Sequence, residues 1–164
     1  MINRSEYLEQ LISFKDKQLI KVVMGIRRCG KSTLLELFRE ELIKSGVSEE
    51  QITTINFEDA DNESLMDRKV LYTYIKERLL PSKMNYIILD EIQHVDDWQR
   101  VVDGLFTKKN CDVYITGSNA YCKCLTLGRQ HCQLPLSVLS EPALLLNSFA
   151  PRKERSQIST RILL

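Results

Sequence analysis

Gly25-Ile26-Arg27-Arg28-Cys29-Gly30-Lys31-Ser32 is the stretch whose residue types and spacing suit phosphate chemistry. Glycine, four free positions, then Gly-Lys-Ser is the pattern of a loop that cradles phosphates. Glycines let the backbone curl so that successive amides point inward. A helix starting at the second glycine adds unpaired N–H groups and the positive end of its dipole. Lys31 would reach the β- and γ-phosphates of a nucleotide, and the Ser32 hydroxyl would complete the shell of a Mg²⁺ ion. Gly25 through Thr33 are therefore the candidate nucleotide-binding residues. The bland alternative is a glycine-bearing strand-to-helix turn that binds nothing.

A second group follows the apolar run "YIILDEIQHV", where Asp90 and Glu91 close four apolar residues. An acid at the end of a central strand can hold Mg²⁺ through its waters, opposite Ser32. A second acid beside it can polarise an attacking water. Asp90 is thus the second candidate metal residue, and Glu91 with Lys31 the candidate catalytic pair. A water-activating Glu favours hydrolysis over transfer to a small-molecule hydroxyl. A kinase would also need a lid with phosphate-binding arginines, and no arginine-rich segment lies between the "ESLMDRKVLYTYIKERLL" helix and the "CDVYITGSN" strand. No guanine-selecting N-K-x-D stretch occurs, so ATP is the expected nucleotide. "YITGSN" supplies Ser118 or Asn119 as a neutral polar group for the γ-phosphate, unless it is an ordinary Gly-Ser-Asn turn.

These residues need strands and helices to place them. "SEYLEQLISF" has Tyr7, Leu8, Leu11 and Ile12 at helical spacing, with Ser5 placed to cap. "QLIKVVMG" reads as a buried strand, and Lys31 to about Ile43 as a helix with Leu34, Leu35, Phe38 and Leu42 on one face. "QITTINFED", "MNYIILDE" and "CDVYITGSN" are further strands. "ESLMDRKVLYTYIKERLL" and "VDDWQRVVDGLFTKK" are the helices between them. In the second of these, Asp96 or Asp97 is placed to cap. Alternation of strand and helix predicts an α/β fold: a three-layer parallel sheet with helices on both faces. Ligands of such sheets bind at the carboxyl ends of the strands, where the glycines and acids fall.

The 164 residues suffice for one domain with a real core, and 43% hydrophobic with 27% charged residues is an ordinary globular balance. A net charge of +1 gives no global argument for nucleic acid. No apolar run approaches a membrane span, and "MINRSEYLEQLISFKDKQ" has no signal-peptide core. With five cysteines, an odd number, a disulfide framework is not expected. The expectation is a cytoplasmic protein with no membrane association.

"IKVVMGIRRCGKSTLL", "INFED", "YIILDEIQHVDDW" and "VYITGSNA", in that order, resemble the prokaryotic AAA-type (AAA+) P-loop ATPases whose phosphate loop carries a double arginine. "NRSEYLEQLISFKDKQLIKVV" is similar to theirs as well. The resemblance covers residues 1–121 and implies an AAA+ core, with Gly25 to Thr33 as Walker A, Asp90 and Glu91 as Walker B, and Asn119 or Ser118 as the sensor. It leaves Arg27 and Arg28 three options: phosphates, the acids Glu58 and Asp59, or solvent. Sites of this kind borrow an arginine from a neighbouring subunit and another from a small helical lid, which implies a homo-oligomer. The client, a protein or a nucleic acid, is not named by these residues.

Beyond Tyr121 the resemblance stops. The family would continue with a helix, a Ser-Gly-Arg-Tyr segment, a fifth strand and a long C-terminal region. Here Gly128-Arg129 arrives too soon, and no regular fifth strand is expected. Residues 1–119 hold 17 Lys+Arg against 20 Asp+Glu, whereas residues 120–164 hold 6 against 2. Leu, Ser and Arg make up 19 of those last 45 residues, against 28 of the first 119. Those amino acids have the most codons and are enriched by out-of-frame translation. Residues 122–164 are therefore expected to be a divergent tail, out of frame or partly disordered, on a truncated ATPase. A non-catalytic, nucleotide-binding remnant is the alternative reading. Cys122, Cys124, His131 and Cys132 do not have the paired spacing of a structural zinc site. The basic stretch Arg152 to Arg155 is too short to argue for nucleic acid.

Overall fold

The computed structural model describes residues 4–25, 28–118 and 143–147. Helix α1 (Arg4–Ser13) leads into strand β1 (Ile20–Gly25), and α2 (Lys31–Lys44) follows the phosphate-loop candidate. Then come β2 (Ile52–Asn56), α3 (Arg68–Arg78), β3 (Asn85–Asp90), α4 (Trp98–Phe106), β4 (Cys111–Ser118) and β5 (Ala143–Asn147). The strands form one sheet in the order β2-β3-β4-β1-β5. The first four run parallel, as the strand–helix alternation requires.

Period-two alternation along the strands divides the core between two faces. Ile20, Val22, Ile87, Leu89, Val113 and Ile115 point to the side covered by α3 and α4. Val23, Tyr86, Ile88 and Tyr114 point to the side covered by α1 and α2. There Phe38 of α2 meets Tyr114 with ring centroids 4.6 Å apart. The expected inner faces of α2 and α4 are buried as read, with Leu34, Leu35, Phe38 and Leu42 on one and Trp98, Val101, Val102 and Leu105 on the other.

Four local expectations change. Helix α1 starts at Arg4, so Ser5 lies inside its first turn instead of capping it. Ile12, read as part of the inner face of α1, is 41% exposed, while its neighbour Leu11 is fully buried. The long helix expected from Glu63 is split. Residues Ala60–Met66 form a 3-10 helix, and α3 begins only after Asp67, whose side chain accepts from the amides of Lys69 and Val70. A capping carboxylate there ends one element and starts the next. Asp97 stands at the cap position of α4, but no side-chain bond caps that helix.

The sheet also corrects the expectation of no regular fifth strand. Ala143–Asn147 pairs antiparallel with β1, Met24 opposite Ala143 and Ile20 opposite Asn147. The open edge of β1 offers a row of backbone donors and acceptors that a short apolar run can satisfy. This strand opposes the parallel direction of the other four. Among the described residues no helix is long and apolar enough to cross a membrane.

Candidate functional site

Strands β1, β3 and β4 deliver their carboxyl ends to one rim. Gly25, the last residue of β1, lies opposite Ser118, the last of β4. Between them and α2, Arg28 and Gly30 both adopt positive φ, 66° and 92°. Gly30 is the N-cap of α2 in the left-handed conformation that glycine adopts at no steric cost. It has no side chain to cap the helix, so the first-turn amides of α2 lack a side-chain acceptor at that cap. A helix start left this way favours an anion.

Lys31 opens the helix and is only 4% exposed. A buried ammonium needs an anion. Glu91 supplies one, with its Oε1 2.9 Å from Lys31 Nζ. Thus the two candidate catalytic residues, sixty positions apart in the chain, touch. Glu91 has φ 53°, and its backbone N–H donates to the Thr116 hydroxyl at 2.8 Å. That hydroxyl in turn donates to Asp90 Oδ1. Thr116 therefore fixes both acids at once from the neighbouring strand. Gln93 Nε2 donates to the other oxygen of Glu91. Burial works against the charge of Glu91, but the Gln93 amide and the Lys31 ammonium outweigh it and hold the carboxyl below its ordinary range.

The remaining candidates are placed as follows. Asp90 is buried at the end of β3, and its backbone oxygen accepts from Phe57 N–H at 3.1 Å. Ser32 is exposed in the first turn of α2, while Cys29 and Thr33 are half-buried. Arg28 is exposed. Asp59, one of its two suggested acidic partners, accepts from the Asp61 amide at 3.1 Å. Ile26, Arg27 and Asn119 lie outside the described residues, as do Cys122, Cys124, His131, Cys132 and the Arg152–Arg155 stretch.

Thr116, Gln93 and Gly117 were not singled out by the sequence. Thr116 is one of three hydroxyl residues that alternate along β4, with Tyr114 and Ser118, so the sequence did not mark it out. A Cβ on Gly117 would lie 3.0 Å from Gln93 Oε1, so a larger residue there would press on that amide. Also missed was a buried cluster at the opposite end of the sheet. Lys21 is fully buried, pairs with Asp112 and donates to the Lys17 carbonyl at 2.6 Å. Asp112 also accepts from Tyr114 Oη and from the Asp16 amide, both at 2.9 Å. Burial drives Lys21 below the usual lysine value despite Asp112, and drives Asp112 up despite Lys21.

A family model described as "AAA domain" matches residues 17–128. The chain belongs to the AAA domain family. An AAA domain is an ATPase-like, nucleotide-binding module, and the match takes in the loop, both acids and β4. The chain is 43% identical over 121 residues to an uncharacterized protein of Haemophilus influenzae (strain ATCC 51907 / DSM 11121 / KW20 / Rd). That stretch is 73% of this chain and 30% of the relative, so the AAA chain spans under a third of the protein it matches. No solved structure matches it.

Proposed function

We propose that this AAA domain binds ATP with Mg²⁺ and hydrolyses it as an AAA+ module. The observation that carries the reading is the buried Lys31–Glu91 pair at the uncapped start of α2, 2.9 Å apart. It brings a phosphate-seeking cation and a water-orienting carboxylate to one point. In this reading Gly25 to Thr33 are Walker A and supply amides to the phosphates. Lys31 exchanges Glu91 for the β- and γ-phosphates. Asp90 and Glu91 are Walker B. Freed of the lysine, Glu91 orients the attacking water and accepts its proton. Ser32 and Asp90 are oxygen donors, the kind a hard cation takes, and Thr116 holds Asp90 in one orientation. The metal, when bound, would neutralise charge on the phosphates. Asn119 or Ser118 would sense the γ-phosphate. An arginine from a second copy would complete the site, making the active form a homo-oligomer in the cytoplasm. A protein or nucleic-acid client would be engaged through parts of the longer relatives.

Titration with a fluorescent ATP analogue and Mg²⁺ tests this. Saturable binding abolished by Lys31→Ala is expected, with turnover reduced at least about a hundredfold by Glu91→Gln. A folded chain that binds no nucleotide overturns the reading. The second reading, a non-catalytic remnant, is favoured by the charge change after residue 119 and predicts binding without turnover. The coding DNA bears on it too. A one-base shift near codon 121 that restores Ser-Gly-Arg-Tyr-like text would support a frameshifted tail.

A further inference from the structure

Glu91 has two carboxylate oxygens, and each is committed to a different residue. Oε1 faces Lys31 Nζ at 2.9 Å, while Oε2 accepts from Gln93 Nε2. The Glu91 backbone is held separately, by the Thr116 hydroxyl and at a positive φ of 53°. Only the direction of its side chain remains to be set. If Lys31 turns to a phosphate, Oε1 is released and Oε2 is not.

We propose that Gln93 is the positioning residue for Glu91: among the described residues it holds the carboxylate in place once Lys31 leaves, so that the freed oxygen meets the attacking water. The inference rests on the nucleotide reading above and deepens it.

Three observations describe the surroundings of Gln93. It sits in a 3-10 turn, Ile92–His94, whose His94 N–H bonds the Glu91 carbonyl at 3.2 Å, so donor and acceptor belong to one rigid turn. Its amide oxygen is buried, with no hydrogen-bond partner among the described residues. That oxygen lies where a Cβ on Gly117 would come within 3.0 Å. The amide therefore lies between Gly117 of β4 and Glu91. Turning it over would set two oxygens against each other at Glu91, so the donor end must face the carboxylate.

The test uses the full chain and reads the Gln93 side-chain amide by NMR. Lys31→Ala imitates the departure of the lysine. The amide protons should stay shifted downfield and slow to exchange in wild type and Lys31→Ala, and revert to free-amide positions in Glu91→Ala. Reversion in folded Lys31→Ala overturns the proposal, whatever the chain does with nucleotide. If Lys31→Ala does not fold, the same signal is followed while wild type is titrated with ADP. Loss of the shift on saturation is then the overturning result. Kinetics give a second readout. Gln93→Ala should lower kcat by about a hundredfold while the nucleotide Kd stays within about twofold. Gly117→Ala should lower kcat too, but add nothing to Gln93→Ala. Parallel loss of kcat and affinity, or an unmoved kcat, overturns the role. Failure of wild type and Lys31→Ala to differ in nucleotide binding would sink the nucleotide reading, and the amide signal would still decide the hydrogen bond.

Discussion

Single residues carry the site, and they differ most in what surrounds them. Cys29 sits half-buried within the phosphate loop beside the start of α2. Cys111 is buried at the start of β4, and burial pushes its thiol up to about 11. Thiolate is the reactive form, so Cys111 is inert near neutrality. Alkylation at pH 8 followed by peptide mapping should therefore label Cys29 well before Cys111. Saturating ATP analogue should protect Cys29. Gly25, Gly30, Lys31, Asp90 and Glu91 could be named as candidates from the sequence because their types and spacing are local. Thr116 and Gln93 were not legible, because their role is to touch acids on another strand or turn. Polar side chains two residues from an acid are common, and only strand register shows which one reaches it.

Elements were read well where a single pattern ran unbroken. The buried faces of α2 and α4 follow the helical period, and β1, β3 and β4 are short apolar runs ended by polar residues. The misreadings lie at boundaries. Residues 63–80 show one helical rhythm, yet Asp67 divides them into a 3-10 helix and α3. Its carboxylate receives the Val70 and Lys69 amides at 3.1 and 2.8 Å. Those bonds hold its pKa below the ordinary 3.8. A carboxylate whose folded pKa is depressed stabilises fully above its unfolded value, and that contribution is lost as pH falls through the folded one. Asp67→Ala should thus lower the midpoint of thermal unfolding by a few degrees near pH 7. The gap should close as the buffer is taken below pH 3.8. Asp67→Asn, which caps without titrating, should show less of this acid dependence.

For the molecule as a whole, the candidate site and a buried ion-pair cluster occupy opposite ends of one sheet. The phosphate rim holds Lys31, Asp90 and Glu91, and the far end holds Lys21, Asp112, Tyr114 and the chain entering β1. Removing one member of a buried, hydrogen-bonded pair leaves the other charged and unpaired. Lys21→Met should therefore cost about 3 kcal/mol in denaturant unfolding. In the folded fraction, nucleotide affinity should not change, because among the described residues no hydrogen bond of the cluster reaches the rim. Reading "QLIKVVMG" as a buried strand leaves its lysine unaccounted for, and the acid on the adjacent strand, Asp112, explains it. The fifth strand was missed for a related reason, since composition says nothing about an edge waiting to be paired. Its antiparallel direction has a consequence for chain length. The chain leaves β4 opposite Gly25 and enters β5 opposite Met24, so the connection from 119 to 142 departs and returns on the same rim. Lengthening a connection between two nearby fixed points is entropically cheap, about 0.6 kcal/mol for each doubling. Sequence between these two strands is therefore free to grow, shrink or diverge beside the candidate site without disturbing the register of a single strand.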